Sequence, residues 1–227
     1  RNDCYVFIPR VFSYPNLKMG AHRNEDFGNM INGTTGQVST TCILKDVDSR
    51  ALIDFAAVHN SNNDFALNGP QNVKANLRNY WCNGTPLPPL KSSSTEAEVN
   101  ENFGEFTSTV TKLLVLQESK GYGELIRNIK EGNIEEISPT DEITKALFNI
   151  DMDAEGSNSV RSRQKTEAED KEASNIYKAG SVVVFKNLKK NKFGIMIIRS
   201  VNVDFDAVKA TNDANATITF DLYYQRY

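Results

Sequence analysis

Most patterns that announce a chemistry are missing from this chain. There are two histidines, His22 and His59, and neither belongs to an HExxH. Without that motif, or a nucleophile in a strand-turn-helix elbow, no metalloprotease or serine-hydrolase signature is present. No GxGxxG or Walker A glycine pattern offers a cradle for a nucleotide. Three cysteines, Cys4, Cys42 and Cys82, stand far apart with no CxxC and no zinc-ligand spacing, which excludes the usual structural zinc sites. One disulfide with one free thiol, or three reduced cysteines, both fit that count. No apolar run approaches the ~18 residues of a membrane-spanning helix.

Charge excludes a further class. The net charge is −3. Residues 1–90 carry 8 basic and 7 acidic groups, 91–180 carry 11 and 18, and 181–227 carry 7 and 4. An acidic middle does not neutralise phosphates, so no nucleic-acid partner is expected.

What is present is strand and turn chemistry. From Gly180 the chain reads GSVVVFKNLKKNKFGIMIIRSVNVDF and, after a polar connection, ATITFDLYYQRY. β-Branched and aromatic runs divided by polar clusters predict an antiparallel meander. Asn191 suits the left-handed position of a tight turn. Ile218, Phe220, Leu222 and Tyr224 alternate with Thr217, Thr219, Asp221 and Tyr223, which predicts one buried face and one wetter face. Near the other end, Cys4–Phe12 reads as an edge strand interrupted by Pro9, and Tyr14–Thr41 as a loop most flexible over GNMINGTTGQVST. Asp46–Arg50 forms a helical turn before a buried strand in Ala51–His59, which carries Asp54 at its middle.

The acidic middle predicts helices. A short one over Asn72–Trp81 precedes the Pro86–Pro89 break. Thr95-x-x-Glu98 is a capping box, and Val99, Phe103, Phe106, Val110 and Leu113 then recur at helical spacing. Val110–Leu116 is continuous enough for a strand, but the stripe favours helix. Two further helices cover Tyr122–Ile129 and Ser138–Asn149, and Asp151–Lys171 reads as an exposed loop.

Three constellations are candidate sites. Asp151, Asp153 and Glu155 before Gly156 match the opening of an EF-hand loop and suggest calcium, although Ser162 stands where a bidentate Glu belongs. His22 with Glu25 or Asp26 has the local form of a general base and its orienting carboxylate. Tyr80, Trp81, Tyr223 and Tyr224 head a set of aromatics, with Tyr5, Tyr14 and Tyr227, that can stack on a sugar or a partner protein.

Two segments carry a family resemblance: NLKMGAHRNEDFGNMINGTTGQVST with ALIDFAAVH, and IYKAGSVVVFKNLKKNKFGIMIIRSV with ATITFDLYY. Roughly residues 17–60 and 176–227 resemble small secreted lipoproteins of Bacteroidetes whose function is mostly unknown. The resemblance implies export, periplasmic or anchored at the outer membrane or cell surface, near glycan-handling or adhesion systems. It transfers no catalytic residue. Position 1 is Arg1 where such proteins carry a lipidated Cys, so membrane attachment would run through an anchor lost by trimming.

The reading is an α+β protein, 1–227 as one compact domain with a sub-boundary near 86–95. A mostly antiparallel sheet takes strands from both chain ends, with the acidic helical middle packed on it. A non-enzymatic, exported cell-envelope domain that binds a glycan or a protein is expected. The alternatives are a hydrolase using His22 and a calcium-stabilised adhesive module.

Overall fold

A computed structural model of the chain describes residues 11–24, 26–59, 65–79, 82–131, 134, 142–162, 175–203 and 215–227. Among them ten strands form two five-stranded antiparallel sheets. The first contains β1 (Val11–Gly20), β6 (Thr111–Val115), β8 (Val182–Asn187), β9 (Lys192–Asn202) and β10 (Thr217–Gln225), ordered β1-β10-β9-β8-β6. The second contains β2 (Met30–Asn32), β3 (Gln37–Ser39), β4 (Phe55–His59), β5 (Phe65–Asn68) and β7 (Ser159–Ser162), ordered β3-β2-β4-β5-β7. Strands from both chain ends do pair: Phe12 lies opposite Tyr224 and Gly20 opposite Thr217. The fold class is the expected α+β, built on two sheets.

Paired inner faces explain the apolar runs. Side chains alternate across a strand, so a strand buried on both faces reads as continuous apolar sequence. Val183 and Phe185 enter the core between the sheets, whereas Val182 and Val184 enter a second core outside the first sheet. Leu113 and Val115 likewise face inward, and Leu114 and Leu116 outward. That doubly buried strand replaces the helix expected over Val110–Leu116. The helix ends at Thr107 with Ser108 as its C-cap, so Val110 and Leu113 shared its spacing by coincidence.

Helices cover both outer faces. Among the described residues the α-helices are α1 (Val47–Arg50), α2 (Pro70–Val73), α3 (Glu96–Thr107), α4 (Gly123–Glu131), α5 (Glu142–Phe148) and α6 (Met152–Glu155). The acidic middle divides between the two faces. Val99, Phe103 and Phe106 of α3 pack with Ala56 and Val58 on the second sheet. Leu125, Ile129, Leu147 and Met152 pack on the first. The capping box of α3 forms: the Glu98 amide donates to Thr95 Oγ1 at 3.2 Å, and the Thr95 amide to Glu98 Oε2 at 2.6 Å.

Two of the expected loops are ordered elements. GNMINGTTGQVST forms the β2–β3 hairpin, with Ile31 opposite Val38. Asp151–Lys171 contains α6 and β7, and Val160 of β7 lies in the inter-sheet core. Cys42 and Cys82 form a disulfide beneath α3, which decides between the two cysteine readings. Cys4 and Pro9 lie outside the described residues.

Candidate functional site

One pole of the sandwich gathers the β8–β9 hairpin, the β2–β3 tip and the run into β4 around Asp54. Asn191 turns that hairpin at φ 52°, the left-handed conformation its sequence invites. Asp54 is 0% exposed. Its Oδ2 accepts the Gly33 amide at 2.7 Å. Its Oδ1 accepts Asn187 Nδ2 at 2.8 Å and the Tyr224 hydroxyl at 3.0 Å. Lys190 Nζ reaches both oxygens, at 3.0 and 3.1 Å, and also donates to the Leu52 carbonyl at 2.7 Å. A buried carboxylate persists only when paired and fully hydrogen-bonded, and this one is both. Its partners come from both sheets, so the cluster acts as a latch between them. Every named donor points inward, leaving nothing for a ligand.

This geometry removes Tyr224 from the set of ligand-contacting aromatics. Tyr224 is buried in the inter-sheet core. Burial first, and then the Asp54 charge, push its hydroxyl far above the ordinary tyrosine range. Gly33 lies flat on its ring: a Cβ there would stand 2.4 Å from Tyr224 Cδ2. The signal for the latch was a single carboxylate inside the apolar ALIDFAAVH run, but its partners lie up to 170 residues away.

His22 is buried, and its Nδ1 accepts the His59 amide at 3.3 Å. Burial above all, then the positive charge of Arg23 and the neighbouring His59, lower its pKa to about 3. A neutral imidazole whose Nδ1 is an acceptor carries its proton on Nε2, so its one lone pair is the one that faces the His59 amide. Asp26 is an exposed turn residue whose amide donates to Asn24 Oδ1, and Glu25 lies outside the described residues. Among the described residues, His22 Nδ1 thus faces the His59 amide and not Asp26.

The acidic motif adopts a helical turn where an EF-hand would wrap an ion. Asp151 is the N-cap of α6, its Oδ1 accepting the Asp153 and Ala154 amides at 3.1 and 3.2 Å. Glu155 Oε2 accepts the Tyr122 hydroxyl, whose pKa is pushed up to about 12 by burial and by that carboxylate. Asp151 and Glu155 therefore have structural partners. Among the described residues no group of three His, Cys, Asp or Glu side chains converges as a metal site.

Tyr223 takes the opposite face of β10 from Tyr224. It lines a surface crevice of about 270 Å³, open mouth included, with Leu147, Phe148, Phe193, Gly194, Ile195 and Gln225. The rings of Phe148 and Phe193 meet edge to face at 5.1 Å. Phe148 remains 47% exposed at the rim. Gln225 supplies the side-chain amide, and its Oε1 already accepts the Phe193 amide at 3.1 Å. Gly194 belongs to the floor because Phe185 passes beneath it, with Cζ 2.1 Å from where a Cβ would stand. Lys186 Nζ sits 5.1 Å from the Phe193 ring centroid. Sequence alternation identified Tyr223, whereas Phe148 and Phe193 join it only through packing of α5 on β9. Tyr80 and Trp81 lie outside the described residues.

No protein-family model matches the chain. No curated protein matches it either. Among solved structures it is similar to the crystal structure of a DUF4466 family protein from Parabacteroides merdae ATCC 43184, with a TM-score of 0.50 and 10% sequence identity. The match covers 97% of this chain and 55% of that one, so this chain spans about half the length of its structural neighbour. At that identity the likeness is one of fold, and it lies with a Bacteroidetes protein, the group that the terminal segments resemble.

Proposed function

We propose that this chain is a non-catalytic, exported cell-envelope domain that docks a protein partner through the crevice at Tyr223. The observation that carries this reading is the crevice lining: Leu147, Phe148, Phe193, Ile195 and Tyr223 form apolar walls beside one already engaged amide. A saccharide site needs several convergent polar groups to orient hydroxyls, whereas a protein anchor needs an apolar slot. The lining therefore favours a protein over a glycan. The Cys42–Cys82 disulfide supports the exported half of the proposal, because such bonds persist in oxidising compartments. The internal engagement of His22 and Asp54 weighs against the hydrolase reading.

The test is a photo-crosslinking residue at position 148, with position 47 as an exposed control away from the crevice lining, in intact cells. Discrete protein adducts from 148 and none from 47 are expected. Equal labelling from both positions, or none from 148, refutes docking at this crevice. Thiol trapping addresses export separately, since reduced Cys42 and Cys82 in the cell would sink the exported reading.

A further inference from the structure

We infer that Lys190 and Asp54 are the reactants of a self-condensation that joins the two sheets by an amide bond between side chains. Among the described residues the other ion pairs each lack one requirement of that reaction. Arg50–Glu105 and Arg199–Asp221 offer a guanidinium, which keeps its charge. Lys74–Glu96 stands open to water, with side chains 41% and 48% exposed. Lys190 instead brings a primary amine to a carboxylate that is 0% exposed. Its Nζ touches both oxygens, at 3.0 and 3.1 Å, and so stands beside the Cγ that joins them. Partners held in such contact within one molecule react at effective molarities of about 10⁵–10⁸ M, far above any free amine and acid in water.

The neighbours supply what the step needs. One ammonium proton passes from Nζ to Oδ2, leaving an amine and a carboxylic acid. The Nζ lone pair attacks Cγ, and negative charge gathers on Oδ1. There Asn187 Nδ2, at 2.8 Å, and the Tyr224 hydroxyl, at 3.0 Å, form an oxyanion hole. A second proton follows from Nζ to Oδ2, the Cγ–Oδ2 bond breaks, and one water leaves. The remaining N–H has an acceptor in place, the Leu52 carbonyl 2.7 Å from Nζ. One ammonium and one carboxylate thus become one amide and one water, with no further reactant. The reaction removes two buried charges whose desolvation the ion pair has to offset. It costs the Gly33 amide its acceptor, Oδ2. The hydrogen-bonded latch is the state before condensation. Asp54 leads into β4 of the second sheet, and Lys190 lies 136 residues away in the β8–β9 hairpin of the first. The amide therefore closes this pole with a covalent bond.

The experiment is the intact mass of the full chain, unfolded with its cysteines reduced and alkylated, followed by peptide mapping. The mass should fall below that of the sequence by one water molecule. The digest should contain a branched peptide that joins the segment of Asp54 to the segment of Lys190. Lys190→Arg keeps a cation beside Asp54 and should show the full mass of its own sequence, with no branched peptide. A wild-type chain at its full sequence mass, with dispersed amide signals to show that it is folded, overturns the inference. A water loss that persists in Lys190→Arg is an aspartyl imide elsewhere and overturns it as well. Loss of ammonia in place of water would make Asn187 the acyl donor and reject Asp54 in that role.

Discussion

Substitution of Asp54 tests the reading of the pole most directly. Asp54→Ala leaves the Gly33 amide, the Asn187 amide, the Tyr224 hydroxyl and the Lys190 ammonium without their shared acceptor. Each buried donor left unmade costs about 1–3 kcal/mol. The sum is an upper bound, because the Lys190 side chain is 18% exposed and keeps the Leu52 carbonyl. Removing one partner of a buried ion pair costs about 3–5 kcal/mol, and that is the expected loss. For a chain of this size it lowers the thermal midpoint by roughly 6–20 °C. Asp54→Asn should behave like Asp54→Ala, because both carboxylate oxygens face donors and either amide orientation sets N–H against N–H or O–H. Urea unfolding of Asp54→Ala, Lys190→Met and the double variant measures the coupling. A single-variant loss under about 1 kcal/mol, or additivity within about 0.5 kcal/mol, would refute the latch.

Three further outcomes follow from the same structure. His22 has a folded pKa of about 3 against an ordinary 6.5, so below pH 6.5 the unfolded chain takes up a proton that the fold refuses. Stability should fall as pH drops from 6.5 toward 3, by up to about 1.4 kcal/mol per pH unit, and His22→Asn should flatten that limb in pH-dependent urea melts. An unchanged acid limb would remove His22 as its source. Gly33→Ala and Gly194→Ala each drive a methyl into an aromatic ring, Tyr224 or Phe185, and should cost about 1–3 kcal/mol by the same assay. Replacing Cys42 and Cys82 together by serine opens a crosslink between residues 40 apart and should cost about 2–4 kcal/mol, read as a lower urea midpoint.

The sequence by itself determined the local structure wherever one strand or helix carried its own signal. The alternation in ATITFDLYY placed Tyr224 inside and Tyr223 outside, and Thr95 with Glu98 set the start of α3. Asn191 set the hairpin turn through its tolerance of positive φ. These depend on neighbours within a few residues. Tertiary structure decided the rest. Val110–Leu116 became a strand because β8 pairs with it and both its faces are covered, an environment that erases the period of two from the sequence. Gly33 and Gly36 in the β2–β3 turn lie against the rings of Tyr224 and Tyr14, and read as flexibility until those rings are in place. Asp54 and the Tyr223 crevice have the same origin. Their partners are separated by tens to well over a hundred residues, and only the stacking of two sheets between helical layers brings them together.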